Sequence, residues 1–277
     1  MDSYRKRFGG IGRLYGLDGL ERLKRAHVCV VGLGGVGSWA VEALARSGIG
    51  ELTLIDLDDV CITNTNRQLH ALEGELGKPK VEALARRVVA INPECKVNPL
   101  HSFLLKSNVD EILQNSFHAV IDAIDSPSRK CVLIARCCAR DIQVVTTGAA
   151  GGRRDPTAVE VADLAFTSHD RLLDEVRRGL RQTYGFPRGD RAFGVECVLS
   201  REAPVFPTRD GSVCSDRSAS SDLRLDCHSG YGTASFITGT FGFVAASCVV
   251  RKIAETTAQA AVGVAPAQEV DTLPKSR

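Results

Sequence analysis

The stretch HVCVVGLGGVGSWAVEALARSGIGELTLID, residues 27–56, decides the fold. Its first five residues, His27–Val31, form a short apolar, β-branched run of the kind that fills a buried strand. Gly32-Leu33-Gly34-Gly35-Val36-Gly37 follows, then a helical stretch over 38–46 closed by Gly48-Ile49-Gly50. A second strand over 52–55 ends on Asp56. Strand, turn, helix and strand make a βαβ unit, which implies a parallel sheet with a right-handed crossover. The glycines let the backbone turn tightly and approach a phosphate, while the helix N-terminus supplies N–H donors and a favourable dipole. An acid at the end of the second strand accepts hydrogen bonds from ribose hydroxyls. For Asp56 the alternative is a cap on the next turn. The pattern points to nucleotide binding and suits a nicotinamide enzyme as well as an ATP enzyme.

Working outward, residues 4–26 read as a polar helix loosened by Gly9-Gly10 and Gly12. Downstream come a helix over Lys80–Ile91 stopped by Asn92-Pro93, an outer strand over 96–100 and a short helix over 109–114. A core strand over 119–121, a helix over 129–140 and a strand over 144–147 follow, the last running into the glycines of 148–152. Beyond Gly152 the chain is charged through 192, with one helix near 169–183 inside a long crossover, then a strand over 195–199. Residues 207–224 are rich in Ser, Arg and Asp and read as a mobile segment. The expected fold is α/β: a Rossmann-like, doubly wound, mostly parallel sheet with a mobile crossover segment and a small-residue C-terminal helix. It forms a single domain over 1–255, made of a nucleotide-binding half (4–152) and a crossover half (153–255), with 256–277 as a flexible tail.

The composition is that of an ordinary globular protein, with 44% hydrophobic and 25% charged residues among 277. The net charge of +2 does not by itself argue for nucleic acid. Its distribution says more: twelve Lys/Arg against eight Asp/Glu over 129–191, and seven against three over 1–27. The polar start, 1–7, has no secretory apolar region after it, and the ten scattered cysteines are expected to be reduced thiols of a cytoplasmic protein. Without any C-x-x-C there is no support for a zinc site. Residues 229–250 carry no charge and are long enough to span a bilayer, but their glycines, serines and threonines read as a buried, small-residue helix, with no membrane involved.

Asn64-Thr65-Asn66-Arg67-Gln68 follows the second strand, and Lys80 opens the next helix. A dinucleotide needs little cationic help there, whereas a triphosphate does; Arg grips phosphate as a fork and Lys as a point charge. Asp122 and Asp125 fall at the end of the 119–121 strand, where ligands gather in open parallel sheets, and a carboxylate there can hold Mg²⁺ on phosphates.

VGLGGVGSW, LIDLDDV, NTNRQ, the lysine of GKPK and DAIDS resemble, in order and spacing, the adenylation domain of E1-like (ubiquitin-activating-like) enzymes over roughly 4–152. The resemblance implies ATP-dependent adenylation of a carboxylate. It assigns Gly32, Gly34, Gly35 and Gly37 to the phosphates and Asp56 to the ribose. Asn64, Arg67, Gln68 and Lys80 would grip the triphosphate, and Asp125 would hold Mg²⁺. Arg7 resembles the arginine that such dimers insert into the partner's ATP site.

RFGGIGRLYG, DDVCITNTNRQLHAL, INPEC, VTTGAAGG and DCHSGYGTASFITGTFGFVA are similar to the tRNA threonylcarbamoyladenosine dehydratase branch of that superfamily. Membership implies adenylation of the threonyl carboxylate of the modified adenosine beside the anticodon. Ring closure by the ureido group then follows, with net loss of water. It also implies a tRNA-facing second half and a homodimer, for which residues 229–250 offer apolar surface, and the charge distribution makes the basic 129–191 segment the expected tRNA surface, led by Arg153, Arg154, Arg177, Arg178 and Arg181. Cys227 lies where activators of sulfur-carrier proteins place a reactive cysteine, which admits thioester chemistry with a sulfur-transfer partner or a purely structural thiol. Cys137 and Cys138 are expected to be packing residues. Three rivals stay open: an activator of a ubiquitin-like sulfur carrier, a NAD-dependent oxidoreductase, and a non-catalytic scaffold.

Overall fold

The computed structural model describes residues 2–208, 210–215 and 231–256. It opens with helix α1 (Ser3–Arg25), which leads into strand β1 (His27–Val31), helix α2 (Gly35–Arg46) and strand β2 (Glu51–Asp56). Helix α3 (Lys80–Ile91), strand β3 (Lys96–His101), the short helix α4 (Val109–Ile112) and strand β4 (Ala119–Asp122) come next. They are followed by α5 (Pro127–Cys138), β5 (Gln143–Thr147), β6 (Val159–Asp163), α6 (Arg171–Thr183), β7 (Glu196–Ser200) and the terminal helix α7 (Ser235–Glu255). Among the described residues the main sheet has seven strands in the order β3-β2-β1-β4-β5-β7-β6. All neighbours are parallel except β6, which runs antiparallel to β7 with Val159 opposite Ser200.

Burial explains which strands were legible. β1 and β4 are buried along their whole length and read as unbroken apolar runs, as strands covered on both faces do. β3, at the sheet edge, is half exposed and accommodates Pro99, whose missing N–H an edge tolerates. One core packs α1, α2, α3 and α7 on one face of the sheet, and a second packs α4, α5 and α6 on the other. The sheet is therefore doubly wound, as expected.

Some expectations are corrected. α1 is broken at Gly16, whose φ of 76° leaves the helical region, and not at Gly9, Gly10 or Gly12. The charged crossover contains a strand: β6 has one sheet neighbour and half-exposed residues, so its apolar signal is weak. Within the segment read as mobile, Phe206–Pro207 and Val213–Cys214 pair as a small antiparallel ribbon; residues 209 and 216–224 lie outside the described residues. So do 229–230 and, past Thr256, the expected tail.

The small-residue helix starts at Ser235 and continues to Glu255. By length and composition it could cross a membrane, but it lies against α2 with Ile237, Phe241, Ala245 and Val249 fully buried. Contact is close enough that a Cβ on Gly242 would sit 2.5 Å from the Val36 carbonyl oxygen. Most of the apolar surface expected to face a second copy is thus used inside the chain, and Phe236 and Phe243 remain exposed.

Candidate functional site

The site is assembled at the C-terminal ends of the parallel strands. After Val31 the chain turns through Gly32, at φ 87°, where a Cβ would lie 2.7 Å from the Ala123 carbonyl oxygen. A Cβ on Gly37 would lie 1.8 Å from the Gly32 carbonyl oxygen, so the first turn of α2 presses directly on the loop before it. Gly34 caps α2 with no side-chain hydrogen bond. The first N–H groups of the helix are therefore left to a ligand or to water.

Asp56 ties this loop to β2. One carboxylate oxygen accepts from Leu33 N at 2.6 Å and the other from Asp58 N at 2.8 Å. The capping alternative is realised, yet a carboxylate with about four lone-pair sites keeps capacity for ribose hydroxyls. Asp58, which sequence reasoning did not assign, receives the Lys80 ammonium at 2.7 Å. Lys80 is 5% exposed and Asp58 is open to solvent, so the lysine stem is fixed while its partner can exchange for a phosphate.

Asn64 is buried and its Oδ1 accepts from Cys61 N at 3.1 Å, closing the short turn Ile62–Asn64; its visible work is structural. Arg67 is carried to the start of α2: its Cγ lies 3.4 Å from where a Cβ on Gly35 would sit. Its carbonyl accepts from Trp39 Nε1 at 3.0 Å and from Thr238 Oγ1 at 3.1 Å, which locks the backbone between α2 and α7. The guanidinium donates only to the Thr63 carbonyl and Asn66 Oδ1, with no carboxylate in reach among the described residues. Gln68 is buried beside Gly34, and its Oε1 has no partner.

His70 is a feature the sequence reading passed over. Both ring nitrogens are buried without a partner, and burial, reinforced by the Lys80 charge, pulls its pKa down to about 4. It is a neutral imidazole at pH 7.

The two aspartates after β4 part company. Asp122 is fully buried and faces Lys130, also fully buried, at 3.1 Å; it accepts from Thr146 Oγ1 at 2.8 Å and Ile124 N at 3.2 Å. Lys130 donates to the Asp122 carbonyl and Thr146 Oγ1 as well. Asp122 is a structural anchor, fully buried with its carboxylate held by Lys130, Thr146 and Ile124. The signal for it was a lysine in the first turn of the helix after the strand, and it was missed. Asp125 is exposed, follows the Ala123–Gly32 contact, and makes no hydrogen bond or ion pair among the described residues. It is a carboxylate open to a cation. Among those residues no group of three metal-binding side chains occurs, so a metal there would take its other ligands from substrate and water.

Arg7 is not at this chain's own site: it bonds weakly to the Ile91 carbonyl at 3.4 Å, at the end of α3 remote from Lys80. Cys227 lies outside the described residues. Cys137 is buried, its thiol pushed up to about 12 by burial, whereas Cys138 is exposed at the end of α5 and is not a packing residue. A cavity of about 680 Å³ beside Arg25, His118 and Lys252 opens at the opposite, N-terminal ends of the strands. None of the nucleotide-binding candidates lines it.

The basic segment is also re-sorted. Arg153 is 3% exposed, donating to the His169 carbonyl at 2.9 Å with Nε and Nη1 unpartnered. Arg177 turns inward onto Asp174 and Thr167. Neither is a surface cation, because each side chain is folded onto its own crossover. Arg154, Arg178 and Arg181 keep solvent access.

Comparison with known proteins gives the chain its relatives. The family model described as ThiF family matches residues 10–269. A tRNA threonylcarbamoyladenosine dehydratase of Escherichia coli (strain K12) is 50% identical over 254 residues, 91% of this chain and 95% of the relative. The Haemophilus influenzae enzyme of the same name is 49% identical, with the same two shares covered. The solved structure of the E. coli enzyme in complex with ATP matches with a TM-score of 0.81 at 46% identity, over 91% of this chain and 96% of that one.

Proposed function

The chain belongs to the ThiF family, and from that premise we propose that it is an ATP-dependent tRNA threonylcarbamoyladenosine dehydratase. The observation that carries this reading is half-identity to a dehydratase over nearly the full length of both chains. The geometry supports it: the uncapped start of α2, the unpartnered Oε1 of Gln68, the Arg67 fork and the free carboxylate of Asp125 fit a nucleotide triphosphate. The substrate carboxylate attacks the α-phosphorus of ATP, and the bond to pyrophosphate breaks. The tethered ureido group then attacks the acyl carbon, AMP leaves, and the ring closes with net loss of water.

In this scheme the α2 N-terminus and Gly32, Gly34, Gly35 and Gly37 cradle phosphate, and Asp56 positions the ribose. Asn64, Arg67, Gln68 and Lys80 line the triphosphate. Asp125 would hold Mg²⁺, which when bound would supply charge neutralisation for the leaving pyrophosphate. Neutral His70 beside Lys80 keeps a second positive charge out of the site. Cys227 has no required role, because the attacking group is already tethered. The active form is a homodimer in the cytoplasm, with Arg7 reaching the site of the second copy. Support comes from exposed Phe236 and Phe243, from the distance of Arg7 from its own site, and from the free thiols of Cys29, Cys61, Cys95, Cys131, Cys137, Cys197 and Cys248.

Mass spectrometry of tRNA nucleosides after incubation with protein and ATP tests the proposal. The threonylcarbamoyl nucleoside should lose one water; an unchanged mass, or turnover with NAD in place of ATP, would overturn it.

A further inference from the structure

Three arginines on the α4–α6 side of the molecule are arranged for an anion that the reaction centre does not account for. Arg178, Arg181 and Arg188, with Gln182 and Gly189, line a groove of about 300 Å³. Arg181 is held in place from two directions. Its Nε donates to the Pro187 carbonyl at 3.1 Å, and its guanidinium lies 5.2 Å from the centre of the Phe193 ring, itself edge-on to Phe186 at 5.1 Å. Arg178 is tethered by Nε to the Asp174 carbonyl at 3.3 Å, and Arg188 makes no bond among the described residues. The outer nitrogens of all three are unspent.

What sets this groove apart is the lack of counter-charge. On the same helix Arg171 and Arg177 each have a carboxylate within ion-pair distance, Glu175 and Asp174 respectively. Among the described residues none lies within 4.0 Å of Arg178, Arg181 or Arg188; Asp190, next to Gly189 in the chain, pairs with none of them. Converging guanidinium forks without carboxylates match phosphate geometry.

The position of α6 says which phosphates. Its cap, Asp170, accepts from Leu173 N at 3.1 Å and from Ala149 N at 2.7 Å, so the helix begins against the loop after β5, at the reacting end of the sheet. At about 1.5 Å per residue, Arg178 and Arg181 lie roughly 12 and 17 Å further along the helix. That is out of reach for the phosphates of an ATP on the α2 N-terminus, but within the span of a polynucleotide whose reacting base sits at the strand ends. We infer that the groove between Arg178, Arg181 and Arg188 holds the phosphodiester backbone of the RNA substrate and sets its register. This rests on the tRNA reading above.

The test is tRNA affinity as a function of salt, measured for the wild-type chain and for Arg178→Gln/Arg181→Gln/Arg188→Gln. Each phosphate contact contributes about 0.7–0.9 to the slope of log affinity against log salt, so the triple variant should lose roughly 2–3 units of slope. ATP affinity should be unchanged. Arg188→Gln alone, which breaks no contact among the described residues, should lose about one such unit, and it keeps the test valid if the triple variant folds poorly. Slopes equal to wild type in both variants would overturn the groove while leaving the dehydratase reading intact. A wild-type chain that neither binds nor dehydrates tRNA would overturn both.

Discussion

Gly37→Ala and Gly34→Ala separate the architecture of the phosphate loop from its ligand contact. The two positions lie three residues apart at the start of α2, but their surroundings differ. A Cβ on Gly37 would meet the Gly32 carbonyl oxygen at 1.8 Å, more than 1 Å inside the 3.0 Å that real Cβ atoms keep. The same atom on Gly34 has only Gln68 Nε2 near it, at 3.9 Å, an ordinary van der Waals contact. Gly37→Ala must therefore push α2 and the loop apart by about an ångström. Overpacking of this kind costs about 1–3 kcal/mol, and at this size each kcal/mol shifts Tm by about 2–4 °C, so a fall of roughly 2–12 °C is expected. A displacement of about 1 Å near reacting groups costs on the order of 10²-fold in rate. Gly34→Ala should melt as wild type and yet bind ATP more weakly, since only the ligand approaches there. Differential scanning calorimetry and ATP titration read the two effects. Unchanged melting and activity in Gly37→Ala would refute the close approach, and undiminished ATP affinity in Gly34→Ala would remove Gly34 from the cradle.

Asp125→Ala should leave Tm unchanged, because the side chain has no partner, while ATP–pyrophosphate exchange falls by about 10²-fold or more, as loss of a transition-state contact does. Cys227→Ser should retain cyclised product; collapse of product with exchange preserved would make the thiol an obligatory nucleophile. Lys130→Ala strands the fully buried Asp122 carboxylate and should cost about 3–5 kcal/mol in denaturant unfolding, with or without nucleotide. His70 has a folded pKa of about 4 against the ordinary 6.5 of a histidine, so the unfolded chain binds the extra proton. Its contribution is fully present above pH 6.5 and is lost as pH falls toward 4, by about 3 kcal/mol. Replacing it with Leu should flatten that part of the stability–pH curve, and an unchanged curve would contradict a buried neutral imidazole.

The chain's own residues, read without a structure, settle what depends on short-range order. The apolar run at His27–Val31, the glycines of 32–37 and the period of Lys80–Ile91 each encode an element and its neighbours within about one crossover, because burial on both faces and turn sterics act over a few residues. The doubly wound sheet and the place of the nucleotide loop were legible for that reason, and the sequence motifs that resemble adenylating enzymes lie on those same elements. The rest depends on which distant groups meet. Asp122 and Asp125 are indistinguishable as residues of one short motif; only the meeting of Asp122 with Lys130 and Thr146 in the folded core buries one and leaves the other free. β6 carries charge at an edge and becomes a strand through its register with β7. Arg153 and Arg178 belong to the same basic stretch, yet packing against His169 buries the first while the surface of α6 exposes the second. A charge can be counted along the chain, but whether it is spent on the protein or available to a substrate is set by desolvation and partner geometry, and those are properties of the tertiary structure.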